Sequence, residues 1–189
     1  IVEKLPAPVT RPIVPYLEVV HDRGAVEIQR GCTRGCRFCQ AGSIYRPIRE
    51  RSKEEVLEAV EKLQENCGYN EIALLSLSSS DYPGIAKLVH ALHERYHKEM
   101  LMLSMPSLRA DSLTLPLMDS LLFRRKMGLT LAPEAGTDRL RDAINKGISE
   151  EEILNTTRSA LERGWRKLKL YFMLGLPTET LEDVEGIAE

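Results

Sequence analysis

Ala25-Val26-Glu27-Ile28 runs almost at once into Gly31-Cys32-Thr33-Arg34-Gly35-Cys36-Arg37-Phe38-Cys39-Gln40. The first four residues read as a β-strand, and the second stretch as a loop that begins where the strand ends. Three of the four cysteines of the chain fall in this loop, spaced C-x3-C-x2-C. A disulfide framework would spread its cysteines to staple distant segments of a small secreted domain. Clustered thiols point instead to a metal site in a reducing cytoplasm.

Three thiolates from one short loop can each bind one corner iron of a cubane cluster, leaving the fourth iron without a protein ligand. An open position of that kind is what chemistry needs, as at catalytic zinc. Gly31 and Gly35 allow the loop to fold tightly. Structural zinc would require a fourth ligand nearby, and Cys67 lies well away at a helix end. Thioredoxin-like redox chemistry uses only the Cys36/Cys39 pair and leaves Cys32 unexplained.

Outward from the loop, apolar runs alternate with helical patterns. Ser52-Lys53-Glu54-Glu55 is a capping box opening a helix with Val56, Leu57, Val60 and Leu63 on its apolar stripe and Gly68 after its end. Strands are expected over Glu71 to Leu77, Met100 to Met105, Met127 to Leu131 and Lys167 to Leu174. Helices are expected over about Pro83 to Lys98, around Leu113 to Phe123, from Thr137, from the capping box at Ser149 to near Gly164, and from near Thr178 or Thr180. Nearly continuous apolar strands alternating with helices predict an α/β fold, a parallel sheet covered by helices. In such folds ligands bind at the carboxyl ends of the strands. Chemistry is therefore expected in the loops after residues 30, 77, 105, 131 and 174.

The motif after the first strand, with Phe38 before the last cysteine, resembles the radical S-adenosylmethionine (SAM) superfamily. The resemblance covers roughly residues 24–189 and implies a partial, TIM-barrel-like barrel of six βα units, truncated here after about five. Residues 1–23, with Pro6, Pro8, Pro12 and Pro15, then read as a linker from a preceding domain. It implies a 4Fe-4S cluster on Cys32, Cys36 and Cys39, whose open iron chelates the methionine amino and carboxylate groups of SAM. An electron from the cluster, supplied by a reductant such as flavodoxin or ferredoxin, cleaves the sulfonium to give a hydrogen-abstracting 5′-deoxyadenosyl radical. Phe38 occupies the position lying against the adenine.

The resemblance extends to later strand ends. Ser78-Ser79-Ser80 stands where relatives carry a Gly-Gly-Glu turn that binds the SAM amino group, although this chain has no Glu there. Arg109 matches an arginine near the methionine carboxylate, which a guanidinium can hold by two parallel hydrogen bonds. Ala132-Pro133-Glu134-Ala135-Gly136-Thr137 is similar to the family's Glu-Ser-Gly-Ser type turn, with Glu134 toward the ribose or the ammonium group and Thr137 capping the next helix. Asp138, Arg139, Leu140, Arg141, Asn145, Lys146 and Gly147 match the same relatives in type. Leu174-Gly175-Leu176-Pro177-Thr178-Glu179-Thr180 resembles a methylthiotransferase segment in which Gly175 lets backbone approach the adenine and Glu179 fixes the loop. The segment from Arg30 to Gly42, followed by Tyr45-Arg46-Pro47, is most similar to radical proteins with an N-terminal cobalamin-binding domain. Cobalamin is accordingly expected through a domain absent from this chain.

The lead expectation is a radical SAM enzyme acting on a small-molecule or macromolecular substrate, with cobalamin-assisted methyl transfer as one form of it. A methylthiotransferase-like enzyme, a non-catalytic iron-sulfur electron-transfer protein and a structural zinc module are the alternatives.

The remaining features are ordinary. A chain of 189 residues, 43% hydrophobic and 29% charged with net charge −2, suits one domain with a real core and offers no phosphate-neutralising excess. No apolar run approaches a membrane span. The start at Ile1 and the end at Glu189 within a helical pattern read as a piece of a longer polypeptide. His90, His93 and His97 share a helical face but read as solvated or structural. Arg46, Arg49 and Arg51 could hold a phosphate, although a solvated loop is the simpler reading. Met100, Met102 and Met105 read as packing along one strand.

Overall fold

The structure is a computed structural model that describes residues 4–121 and 128–188. Its first strand, β1 (Gly24–Glu27), leads to a two-residue strand β2 (Gln29–Arg30), the cysteine loop, the single turn α1 (Ala41–Ile44) and a second short strand β3 (Arg49–Glu50). Then follow α2 (Lys53–Cys67), β4 (Glu71–Leu75), α3 (Ile85–Tyr96), β5 (Met102–Ser104), α4 (Leu115–Leu121), β6 (Leu129–Glu134), α5 (Asp138–Ala143), α6 (Glu150–Glu162), β7 (Leu168–Phe172) and α7 (Leu181–Glu185). Strand and helix alternate as the sequence predicts. The expected boundaries at Phe123 and Met127 lie outside the described residues.

Local chemistry explains why α2 starts and stops where it does. The Glu55 N–H donates to Ser52 Oγ at 3.2 Å and the Ser52 N–H to Glu55 Oε2 at 2.8 Å, so two orphan donors of the first turn are satisfied. Gly68 ends the helix in the left-handed conformation, its N–H bonded to Gln64 O. Between these caps Val56, Ala59, Val60 and Leu63 are buried at i, i+3, i+4 and i+7. The capping box at Ser149 and Glu152 opens α6 in the same way.

The strands β1, β4 and β5 form a parallel sheet in that order, with Val26 beside Leu74 and Ile72 beside Leu103. A second parallel sheet pairs β6 with β7, Leu131 beside Leu170, and a register shift separates Leu131 from Glu134. No ladder joins β5 to β6 among the described residues, yet Leu129 and Leu131 share one apolar core with Val26, Ile72 and Leu103. The core is thus more continuous than the hydrogen bonding.

Nearly continuous apolar strands were expected, and β4 obeys, with Ile72, Ala73 and Leu74 all buried. In β1 and β6, buried residues instead alternate with more open ones: Val26 against Ala25 and Glu27, Leu129 and Leu131 against Thr130 and Ala132. In these strands one face is buried and the other more open.

The antiparallel ribbon of β2 and β3 was not anticipated, because two-residue strands carry no periodicity. It brings Arg51 to the end of β1. That arginine is 5% exposed and donates to Glu27 O at 2.8 Å and to Pro6 O at 2.6 Å, so it clamps the proline-rich segment and is not part of a solvated cationic loop. Residues 4–23 contain no helix or strand before Gly24 and also touch α2, where Asn66 Nδ2 donates to Thr10 O at 3.1 Å. Met100 is exposed and precedes β5, so the three methionines do not share a strand. Cys67 packs half-buried at the end of α2. His90 and His97 are exposed on and just after α3.

Candidate functional site

The cysteine loop leaves β1 and β2 at the carboxyl end of the first sheet. Gly31 makes the departure possible: its φ is +93°, and a Cβ there would stand 2.6 Å from Tyr45 O. Any other residue would be strained and would collide with backbone. Asn145 holds the far side of the loop, its Nδ2 donating to Gly35 O at 2.8 Å, and Arg37 N–H donates to Ile144 O at 2.8 Å. Cys32, Cys36 and Cys39 are all free and half-buried. The donor set fits an iron-sulfur cluster in its chemistry: three unpaired thiols, one loop, partial access. Among the described residues no three cysteine, histidine or carboxylate side chains already stand close enough to hold one ion.

A ladder of alternating charges runs beside the Cys32 and Cys36 sulfurs. Arg34, inside the cysteine motif, grips Asp81 with two nitrogens, one of them Nε to Oδ2 at 2.8 Å, and reaches Asp111 Oδ2 with Nη1 at 2.8 Å. Its backbone N–H donates to Cys32 Sγ at 3.4 Å. Hydrogen bonding to Asp81 pushes the Arg34 guanidinium above its ordinary value. Burial pushes the Asp81 carboxyl up, but the bonds from Arg34 and Ser78 outweigh it and leave the group below the usual carboxylate range. Asp111 also accepts from Arg109 Nε at 3.0 Å and Nη2 at 3.1 Å. Arg109 Nη2 donates in addition to Lys146 O at 2.8 Å, and Nη1 lies 4.0 Å from Cys36 Sγ. Lys146 Nζ closes the series on Glu134 Oε1 at 3.1 Å.

These partners redistribute the expected roles. Ser78, Ser79 and Ser80 are buried and already engaged: Ser78 Oγ donates to Asp81 at 2.6 Å, Ser79 Oγ to Leu74 O at 3.4 Å, and Ser80 Oγ accepts from Arg109 N–H at 3.1 Å and from Ser112 Oγ at 2.8 Å. They brace the loop after β4 from within. Arg109, expected near the methionine carboxylate, holds the chain's own Asp111 and is 7% exposed. A bidentate grip on a ligand carboxylate would first have to break that pair.

Glu134 ends β6 with φ at +75°, a left-handed position that costs a non-glycine residue about 1–3 kcal/mol and is characteristic of functional sites. Met100, Ser107, Asn145 and Thr178 also have positive φ. In the last loop Glu179 Oε2 accepts from Gly175 N–H at 2.6 Å, fixing the turn as the sequence predicts. Phe38 is 41% exposed beside the thiols. The sequence reading missed Asp81 and Asp111 and gave Arg34 no role. The available signals were an aspartate directly after the serine run and another two residues after Arg109.

A family model described as the radical SAM superfamily matches residues 26–189. The chain belongs to the radical SAM superfamily. An uncharacterized protein from Methanocaldococcus jannaschii is 42% identical over 162 residues, 86% of this chain and 35% of that protein. RimO of Thermotoga maritima, a ribosomal protein methylthiotransferase, is 26% identical over 87% of this chain and 40% of its own length. Among solved structures, the cobalamin-dependent SAM radical enzyme OxsB with aqua-cobalamin and SAM bound superposes with TM-score 0.69 at 17% identity, covering 86% of this chain and 25% of OxsB. The radical SAM methyltransferase TsrM from Kitasatospora setae, with tryptophan substrate and a SAM analog bound, gives TM-score 0.72 at 17% identity, covering 88% and 33%. These two likenesses concern the fold. The chain spans about a third of the length of the relatives it matches. No helix among the described residues is long and apolar enough to cross a membrane.

Proposed function

We propose that this chain is the core of an enzyme that holds a 4Fe-4S cluster through Cys32, Cys36 and Cys39 and uses it on SAM. The observation that carries the reading is the C-x3-C-x2-C loop at the carboxyl end of the first sheet, with Cys32 Sγ beside the Arg34 N–H and Cys36 Sγ beside Arg109. When bound, the cluster and SAM together supply one-electron cleavage of the sulfonium and thereby hydrogen abstraction from a substrate.

The protein's own residues do the rest. Gly31 lets the loop turn back on Tyr45. Glu134, held by Lys146, offers a half-buried carboxylate to ribose hydroxyls or an ammonium group. Gly175 and Phe38 offer backbone and an aromatic edge for an adenine. The three serines lie within the same strand-end cluster and stiffen it. The architecture we propose is the family's partial barrel of six βα units, of which this chain supplies about five, with residues 1–23 as the segment entering it. Reducing equivalents would come from a protein such as flavodoxin or ferredoxin, in the cytoplasm.

Methyl transfer aided by cobalamin is the form of the reaction favoured by the likeness to OxsB and TsrM, with the cobalamin carried by polypeptide outside these residues. The likeness to RimO favours methylthiolation as the second reading.

The test is anaerobic reconstitution of the full-length protein with iron and sulfide, followed by dithionite and SAM. Formation of 5′-deoxyadenosine, lost in Cys36→Ala, is the expected result. Reversible cluster reduction without 5′-deoxyadenosine would establish electron transfer instead, and stoichiometric zinc with no iron would establish a structural module. The mass added to a modified product distinguishes methyl from methylthio transfer.

A further inference from the structure

We propose that Arg109 is a positioning residue that sets the reduction potential of the iron-sulfur centre through the Cys36 thiolate, with Asp111 as its counterweight. The inference rests on the reading of Cys32, Cys36 and Cys39 as ligands.

A guanidinium is seldom buried unless it is paired, and Arg109 is buried with nearly all its donors assigned. Of its five N–H groups, Nε and one on Nη2 go to Asp111, and the other on Nη2 goes to Lys146 O. Nη1 faces Cys36 Sγ at 4.0 Å, the outer reach of an N–H···S hydrogen bond. The residue is also fixed at its root, since its backbone N–H donates to Ser80 Oγ. Such a side chain cannot swing to meet an incoming ligand without abandoning a buried carboxylate. It is built to stay beside one sulfur.

Reduction adds one negative charge to a thiolate-ligated cluster. Hydrogen bonds to the sulfurs and nearby positive charge stabilise the reduced form more than the oxidised form, and so raise the potential. Asp111 opposes this from the far side of the same guanidinium, and Arg34, bonded to both Asp81 and Asp111, softens its charge. The two members of the pair therefore act with opposite sign on the same centre. A purely structural brace would not behave in that way.

The experiment is an anaerobic redox titration of the reconstituted full-length protein, followed by electron paramagnetic resonance. Iron content is measured in parallel for wild type, Arg109→Met, Arg109→Lys and Asp111→Asn. Arg109→Met should move the reduction equilibrium about tenfold toward the oxidised cluster, a fall of about 59 mV for a one-electron couple. Asp111→Asn should move it the other way, and Arg109→Lys, which keeps the charge without the planar fork, should fall between wild type and Met. Unchanged potentials in iron-replete variants, or shifts of the same sign in Arg109→Met and Asp111→Asn, would overturn the proposal. Loss of iron from both variants alike would overturn it too, by showing that the ladder only folds the loop. A wild-type protein that takes up no iron would remove the cluster reading itself, a separate and recognisable failure.

Discussion

The sheet of β1, β4 and β5 and the pair of β6 and β7 are made from the same kind of sequence but are held by different forces. In the first, Ile72 and Leu74 on the central strand are wholly buried, with side chains of α2 and α3 sealing the same core. In the second, Leu170 and Tyr171 of β7 remain 40% and 48% exposed. Leu129 and Leu131 of β6 belong to the main core, but beyond them Ala135, Leu140 and Ile144 form a separate, small apolar cluster. What ties α7 to α5 is polar. Asp183, 2% exposed, accepts from Thr137 and Arg139 and also from the Thr180 N–H at 2.8 Å and the Thr180 hydroxyl at 2.8 Å. Apolar burial needs only a matching surface, whereas this knot needs each partner in place. The second region should therefore be more sensitive to geometry and to pH.

The widest gap between the regions should appear on truncating leucines. Leu74→Ala should cost about 2–5 kcal/mol in denaturant unfolding, as a cavity opens in a closed core, while Leu170→Ala should cost under about 0.5 kcal/mol. Equal losses would erase the distinction. Next comes Gly136→Ala, because a Cβ there would meet Asp183 O at 2.3 Å and Ile187 N at 2.7 Å. The expected loss is about 1–3 kcal/mol, with amide exchange accelerated in α7 before it is in α2. A smaller effect, about 1 kcal/mol of thermal stability, is expected from Ser52→Ala, which removes one half of the α2 cap.

The last contribution is fully present at neutral pH and is exposed only by acid. Hydrogen bonds from Thr137 and Arg139 hold the Asp183 carboxyl well below its ordinary value near 3.8. A depressed folded-state value means that the stabilisation is complete above about 3.8 and is lost as the pH falls through the folded value. Acid titration followed by amide exchange should loosen α7 ahead of α2 and α3, and Asp183→Asn should flatten that dependence. Simultaneous loosening of all the helices would show that the knot does not act locally.

Features decided within a few residues were legible in the sequence. The caps at Ser52, Thr137 and Ser149 satisfy donors one turn away, so the letters suffice. The position of the cysteine loop at a strand end followed from the order of β1 and the motif. The ladder beneath it was not legible, because Arg34 meets Asp81 and Asp111 across 47 and 77 residues, and nothing in local pattern announces such pairings. For the same reason Ser78, Ser79 and Ser80 looked available to a ligand when only the folded chain shows their hydroxyls already engaged. Asp183 likewise meets Thr137 and Arg139 across 46 and 44 residues, which no local pattern announces.

The open flank of β7 has a practical consequence for anyone handling residues 1–189 alone. Leu170 and Tyr171 lie on a strand that pairs only with β6 among the described residues, and Leu174 and Leu181 follow, 69% and 73% exposed. A sticky margin of this kind invites sideways pairing between molecules. Material concentrated by itself should self-associate through that seam, and a lysine at position 170 should keep it dispersed.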